Sequence, residues 1–173
     1  MKILKIIGLT IVGIIALALI TALFLKKDIV AKREVIINKP KQEVFDYLKY
    51  LKNQDHFSVW AKADTAMKKE YTGTDATVGF KSAWDSEKVG KGEQTIIGIQ
   101  TGEYIDYSLH FIEPFEATNH ARFTTVAVDS SHTKVVWEFD GRMTYPFNLL
   151  QLFHDIGDDL QKGLDDLKVI LEK

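Results

Sequence analysis

The sequence predicts an α+β fold: an antiparallel meander followed by one long helix, with a single transmembrane helix ahead of both. Three observations predict it. Ile6 to Leu25, IIGLTIVGIIALALITALFL, runs twenty residues without a charge. From about residue 68 to 143, apolar residues recur with period two between short turns rich in glycine, aspartate and serine, the pattern of half-buried strands. From Pro146 onward the period changes to three or four, the spacing of one helix face.

Composition narrows the function classes. The chain has 173 residues, 46% hydrophobic and 27% charged, a balance suited to one ordinary domain with an appendage. It contains no cysteine, which excludes disulfides, thiolate metal sites and cysteine nucleophiles. The formal net charge is −2. Residues 1–27 contain Lys2, Lys5, Lys26 and Lys27 and no acid, so the remainder is acidic. An acidic domain without a basic stripe argues against nucleic-acid binding, which depends on neutralising phosphates.

The uncharged run would span about 30 Å as a helix, the thickness of the hydrocarbon core. Lysines bracket it and can snorkel toward headgroups. Ala16-Leu17-Ala18 also suits a signal-peptide cleavage site, but the run is longer than the usual apolar core of such a peptide. The expected division is an anchor over 1–27 and a binding domain over 28–173, single-pass in the membrane. Basic residues flank both ends, so the side on which the domain lies is not assigned.

Within the domain, Ile29–Asn38 reads as a first strand. Pro40 opens a helix in which Val44, Phe45, Leu48 and Leu51 form an apolar stripe. A short helical or irregular piece with Phe57 and Trp60 follows. The expected inner faces of later strands carry Val78, Phe80, Ser82 and Trp84; then Ile105, Tyr107, Leu109 and Phe111; then Ala121, Phe123, Thr125 and Ala127; then Val135, Trp137, Phe139, Gly141 and Met143. Short joints make these strands antiparallel neighbours. The last segment, PFNLLQLFHDIGDDLQKGLDDLKVILEK, reads as one long amphipathic helix, kinked near Gly157. Its apolar stripe is Leu149, Leu152, Phe153, Ile156, Leu160, Leu164, Leu167 and Leu171.

VIINKPKQEVFDYLKYLKN, GFKSAWDS, GEQTII, VVWEFDGRM and GLDDLKVILE, in that order, resemble the START and SRPBCC superfamily, which includes the birch-pollen allergen and polyketide cyclase-like proteins. The resemblance covers about residues 29–173. It implies a helix-grip fold, in which a curved antiparallel sheet wraps a long carboxy-terminal helix around an apolar pocket. That superfamily shares no catalytic residue, so none carries over.

The candidate ligand-binding residues are Trp60, Phe80, Trp84, Tyr107, Phe111, Phe123, Trp137, Met143, Tyr145 and His154. Aromatics of this kind line pockets and fill cores alike. Gly157 and Gly163 point to close approach on the long helix. No histidine pair has metal-ligand spacing, and no phosphate loop or nucleophile elbow is present. Asp155, Asp158, Asp159, Asp165 and Asp166 read as a solvated helix face. Glu138, Arg142 and Asp106 read as cross-strand pairs on the outer face of the sheet. The expected function is a membrane-tethered binding module for an apolar or amphipathic small molecule or lipid, with no cofactor. Two alternatives stand beside it. One is a cyclase- or dehydratase-like enzyme using Tyr107, His154 and Tyr145. The other is a protein-partner module of the same fold.

Overall fold

The computed structural model describes residues 2–173. Its architecture is α+β. Helix α1 (Lys2–Phe24) is followed by strand β1 (Asp28–Ile37), then α2 (Lys41–Leu48), α3 (Gln54–Phe57) and α4 (Val59–Ala63). Strands β2 (Lys68–Thr72), β3 (Lys81–Ser86), β4 (Gly90–Gln100), β5 (Tyr104–Glu113), β6 (Ala117–Ala127) and β7 (Thr133–Arg142) come next. A 3-10 segment (Phe147–Leu152) and α5 (Ile156–Leu171) close the chain. The seven strands form one antiparallel sheet in the order β1-β7-β6-β5-β4-β3-β2. This is the helix-grip arrangement, with α5 against the inner face of the sheet.

The period-two reading of the strands holds because one face is buried and a one-residue slip would expose it. Ile105, Tyr107, Ala121, Phe123, Val135, Trp137 and Phe139 are buried on that face, and Leu160, Leu164 and Leu167 of α5 meet them. Gly163 explains how closely the helix comes. A Cβ there would lie 2.7 Å from the Trp137 ring. Gly157 likewise makes room for the Arg33 guanidinium, which donates to Asp155 at 3.0 Å. Val78 and Ala127, expected inside, are exposed, because Val78 precedes β3 and Ala127 ends β6.

The structure corrects three readings. The last segment is not one helix. The chain breaks at Phe153–Asp155, where the Asp155 carboxylate accepts from the Gly157 N–H at 2.8 Å and caps a new helix. Leu152 and Phe153 consequently leave the core stripe and stand exposed. Asp159 is not on the solvated face: it is buried and bonded to His154. Asp106 pairs with neither Glu138 nor Arg142. The register sets it opposite Arg122, whose guanidinium grips it with two bonds of 2.5 and 2.7 Å, while Glu138 takes Lys32 at 2.6 Å.

Helix α1 does not end in isolation. The buried Asn148 amide donates to the Ala22 carbonyl at 2.7 Å. Gln151 donates to the Lys26 carbonyl at 3.0 Å, and the Met143 N–H to the Lys27 carbonyl at 2.8 Å. The Ala22 carbonyl belongs to the last turn of α1, where carbonyls lack partners within the helix itself, while Lys26 and Lys27 lie in the link between α1 and β1. α1 is long and apolar enough to cross a membrane, with a mean hydropathy of 2.8 over its most apolar stretch.

Candidate functional site

The inner face of β7 passes from packed core to open space. Val135 lies in the core, and Trp137 stands at the boundary. Its ring meets Phe123 at 4.6 Å, Phe57 at 5.9 Å and Trp60 at 6.1 Å between centroids. Phe139 and Met143, further along the strand, line a cavity of about 400 Å³ between sheet and α5. Concave sites for small molecules commonly hold about 300–1,000 Å³.

Each wall has a sequence reason. Trp84 of β3 lies opposite Gly92 of β4, and a Cβ at Gly92 would fall 2.6 Å from the indole ring. The glycine lets the indole lie across the neighbouring strand, where its edge meets Phe111 of β5 at 5.8 Å. Ser82 and Gln94 are paired two residues further along these strands and share the same face. Gln54 of α3 closes over them and accepts from the Gln94 side-chain amide at 3.3 Å. Lys69 of β2, opposite Trp84, forms an ion pair with Asp55. Ile156, Leu160 and His154 complete the helix side.

The lining residues that are solvent-exposed mark the mouth: Glu113 and Pro114, Arg142, Leu150 and His154. They come from the β5–β6 turn, the end of β7 and the stretch leading into α5. Phe115 of the turn stacks on Phe147 of the 3-10 segment at 4.5 Å and ties the two rims together. Gly90, at φ +81°, allows the β3–β4 turn to touch the Glu113 carbonyl. The mouth is therefore built from the same 3-10 segment that holds the end of α1.

Of the sequence-derived candidates, Trp60, Trp84, Phe111, Trp137, Met143 and His154 line the cavity. Phe80, Tyr107 and Phe123 instead fill the core, and Tyr145 is on the surface. Burial pushes the Tyr107 phenol far above its usual range, and the nearby Gln54 side chain offsets this only in part. Tyr107, Tyr145 and His154 are thus not assembled on one wall; of the three, His154 alone lines the cavity. Its Nε2 lies 2.5 Å from the buried Asp159 carboxylate, a hydrogen-bonded pair at the rim. Among the described residues no group of histidine and carboxylate side chains is arranged to hold a metal ion.

Gln54, Gln94, Phe115 and Leu150 also line the cavity and were not among the candidates. Gln54 had a signal: it falls three residues after Leu51 and three before Phe57, on the apolar side. Leu150 had none, because helical spacing does not reveal a 3-10 segment.

No family model matches the sequence, and no curated protein does. Solved structures do match in fold. Truncated norcoclaurine synthase from Thalictrum flavum superposes with a TM-score of 0.66 at 12% identity, over 86% of this chain and 97% of that one. A protein from Nitrosospira multiformis gives 0.58 at 16%, over 82% and 94%. Ara h 8.0201 gives 0.58 at 12%, over 83% and 97%. At such identities the likeness shows the helix-grip fold alone.

Proposed function

We propose that this chain is a membrane-tethered module that binds an apolar or amphipathic small molecule, or a lipid, in the cavity between sheet and α5. Residues 1–27 are its single-pass anchor and 28–173 its binding domain. The observation that carries this reading is the position of the mouth. Its rim shares the 3-10 segment Phe147–Leu152 with the end of α1, so a bilayer around α1 would lie beside the opening. The walls are mainly apolar, and Trp60, Trp84, Phe111, Trp137, Met143 and His154 are the contact residues. The fold accommodates such guests elsewhere: norcoclaurine synthase has been solved with dopamine and hydroxybenzaldehyde.

The test is mass spectrometry on the full chain, purified gently in amphipol, first native and then after organic extraction. A stoichiometric small apolar molecule is the expected result and would reveal its class. A chain that carries nothing and takes up no fluorescent fatty acid would overturn the reading.

A further inference from the structure

The joint between α1 and the fold lies inside the uncharged run, not beyond it. That run ends at Leu25, and the first charge after it is Lys26. Ala22, three residues before Leu25, is already fully buried, with its carbonyl bonded by Asn148. Three residues of helix rise about 4.5 Å. With the whole run embedded, the 3-10 segment Phe147–Leu152 therefore meets α1 just inside the edge of the hydrocarbon.

What the fold presents beside that joint is apolar. Among the described residues, Phe153 is the most exposed large apolar side chain outside α1, and Leu150 and Leu152 are exposed with it. Basic side chains follow at once. Lys26, Lys27 and Arg142 are exposed, and the bond from the Met143 N–H to the Lys27 carbonyl sets the two stretches side by side. Asp28 lies 3.9 Å from the Arg142 Nε, with both side chains in solvent, so it offsets that cation little. Apolar side chains at the boundary with basic ones next to them form the kind of surface that lies in the headgroup layer.

The cavity opens at the same place. Leu150 belongs both to the 3-10 segment and to the cavity lining, and Arg142 stands at the mouth. The other cation of the wall, Lys69, is paired with Asp55. At about 400 Å³ the cavity is near the small end of the range for small-molecule sites, which suits one chain rather than two.

We infer that Leu150, Leu152 and Phe153 sit in the interfacial layer of the leaflet at the end of α1, and that the cavity exchanges a single-chain amphiphile directly with that leaflet. The polar end of the guest stays at Arg142, and its chain runs inward along Met143, Phe139 and Leu160. This deepens the binding reading above and rests on it.

The experiment uses cis-parinarate, a fluorescent fatty acid, with the full chain in amphipol and in vesicles of phosphatidylcholine and phosphatidylglycerol. Energy transfer from the three tryptophans, all of which line the cavity, reports the bound probe. The part of that transfer abolished by excess palmitate is the cavity signal, and its decay gives the exchange rate. The variant carries Leu152→Glu and Phe153→Glu together, because neither residue lines the cavity. In amphipol, parent and variant are expected to bind the probe equally. In vesicles, exchange should be about tenfold slower in the variant, the scale of withdrawing two large apolar side chains from the layer. Equal rates in vesicles would sink the inference and leave the cavity reading standing. Weaker binding by the variant in amphipol would also overturn it, since these residues would then shape the cavity itself. So would a dimer of the parent that the variant dissolves, which would make this face an interface between copies. A parent that takes up no probe in either medium removes the cavity reading, and this inference with it.

Discussion

The Asn148 side chain donates to the Ala22 carbonyl at 2.7 Å and also reaches the Leu25 carbonyl at 3.3 Å, across 126 residues of sequence in the first case. Both Asn148 and Ala22 are fully buried. The fold that follows α1 thereby caps the end of that helix. Leucine at 148 would leave those carbonyls unpaired, at a cost of about 1–3 kcal/mol. The expected result of Asn148→Leu is a loosened joint. Paired nitroxides on α1 and the 3-10 segment should give a narrow distance distribution in the parent and a broad one in the variant. Equal widths would show that the joint does not depend on this bond.

Leu152 and Phe153 stand 54% and 84% exposed, next to that joint. Exposed side chains of this size, beside a helix long and apolar enough to cross a membrane, would suit the interfacial layer of a bilayer. The chain has no cysteine, so Phe153→Cys allows a single nitroxide. In vesicles it should collide more with oxygen than with an aqueous nickel chelate. A label at Asp129, in the turn at the far end of β7, should do the reverse. An aqueous profile at 153 would place this rim away from the membrane.

Gly163→Ala would drive a methyl to within 2.7 Å of the Trp137 ring. Overpacking of this kind costs about 1–3 kcal/mol, against a gain of up to about 1 kcal/mol in helix propensity. The expected net effect is destabilisation, seen as a lower denaturation midpoint. Gly13→Ala is the control, because nothing lies within 4 Å of a Cβ there. A stabilised Gly163→Ala would mean that the ring moves aside freely.

The Asp129 carboxyl is pulled down to about 2, first by the Ser131 backbone N–H and then by His132. A lowered carboxyl pKa stabilises the folded state above the unfolded value, near 3.8, and this contribution is lost as pH falls toward 2. Asp129→Asn should therefore flatten the stability profile between about pH 4 and 2 relative to the parent. Identical acid limbs in urea titrations at each pH would show that this turn contributes nothing there.

Much of the fold could be read from the sequence because half-buried strands write their inner face into every second residue. Trp84, Phe111, Trp137 and Met143 were identifiable as inward-facing for that reason. The break before α5 could not be read. Leu149, Leu152 and Phe153 continue the helical stripe without a gap, and only the cap at Asp155 and the engagement of Asn148 with α1 turn Leu152 and Phe153 outward. Asp159 was misplaced by the same error. With the helix broken, His154 can fold back onto a carboxylate five residues ahead. Cavity volume is a sum over facing elements, so alternation showed which residues face inward but not where packing stops. Tyr107 and Phe123 share the face of Phe111 and Ala121, yet fall on the filled side.

The pairing of β1 with β7 also orders events in time. Asp28 leaves the ribosome first, and its partner Arg142 follows more than a hundred residues later. At ordinary elongation rates that interval is roughly 6–20 seconds. During it, β1 hangs from the already finished α1 with both edges of its backbone unpaired, open to any other extended chain. The run Lys32-Arg33-Glu34 in the middle of that strand places charge where a foreign strand would have to dock. Their own partners arrive late as well: Lys32 meets Glu138, Glu34 meets Lys134 and Arg33 meets Asp155, all from the last quarter of the chain.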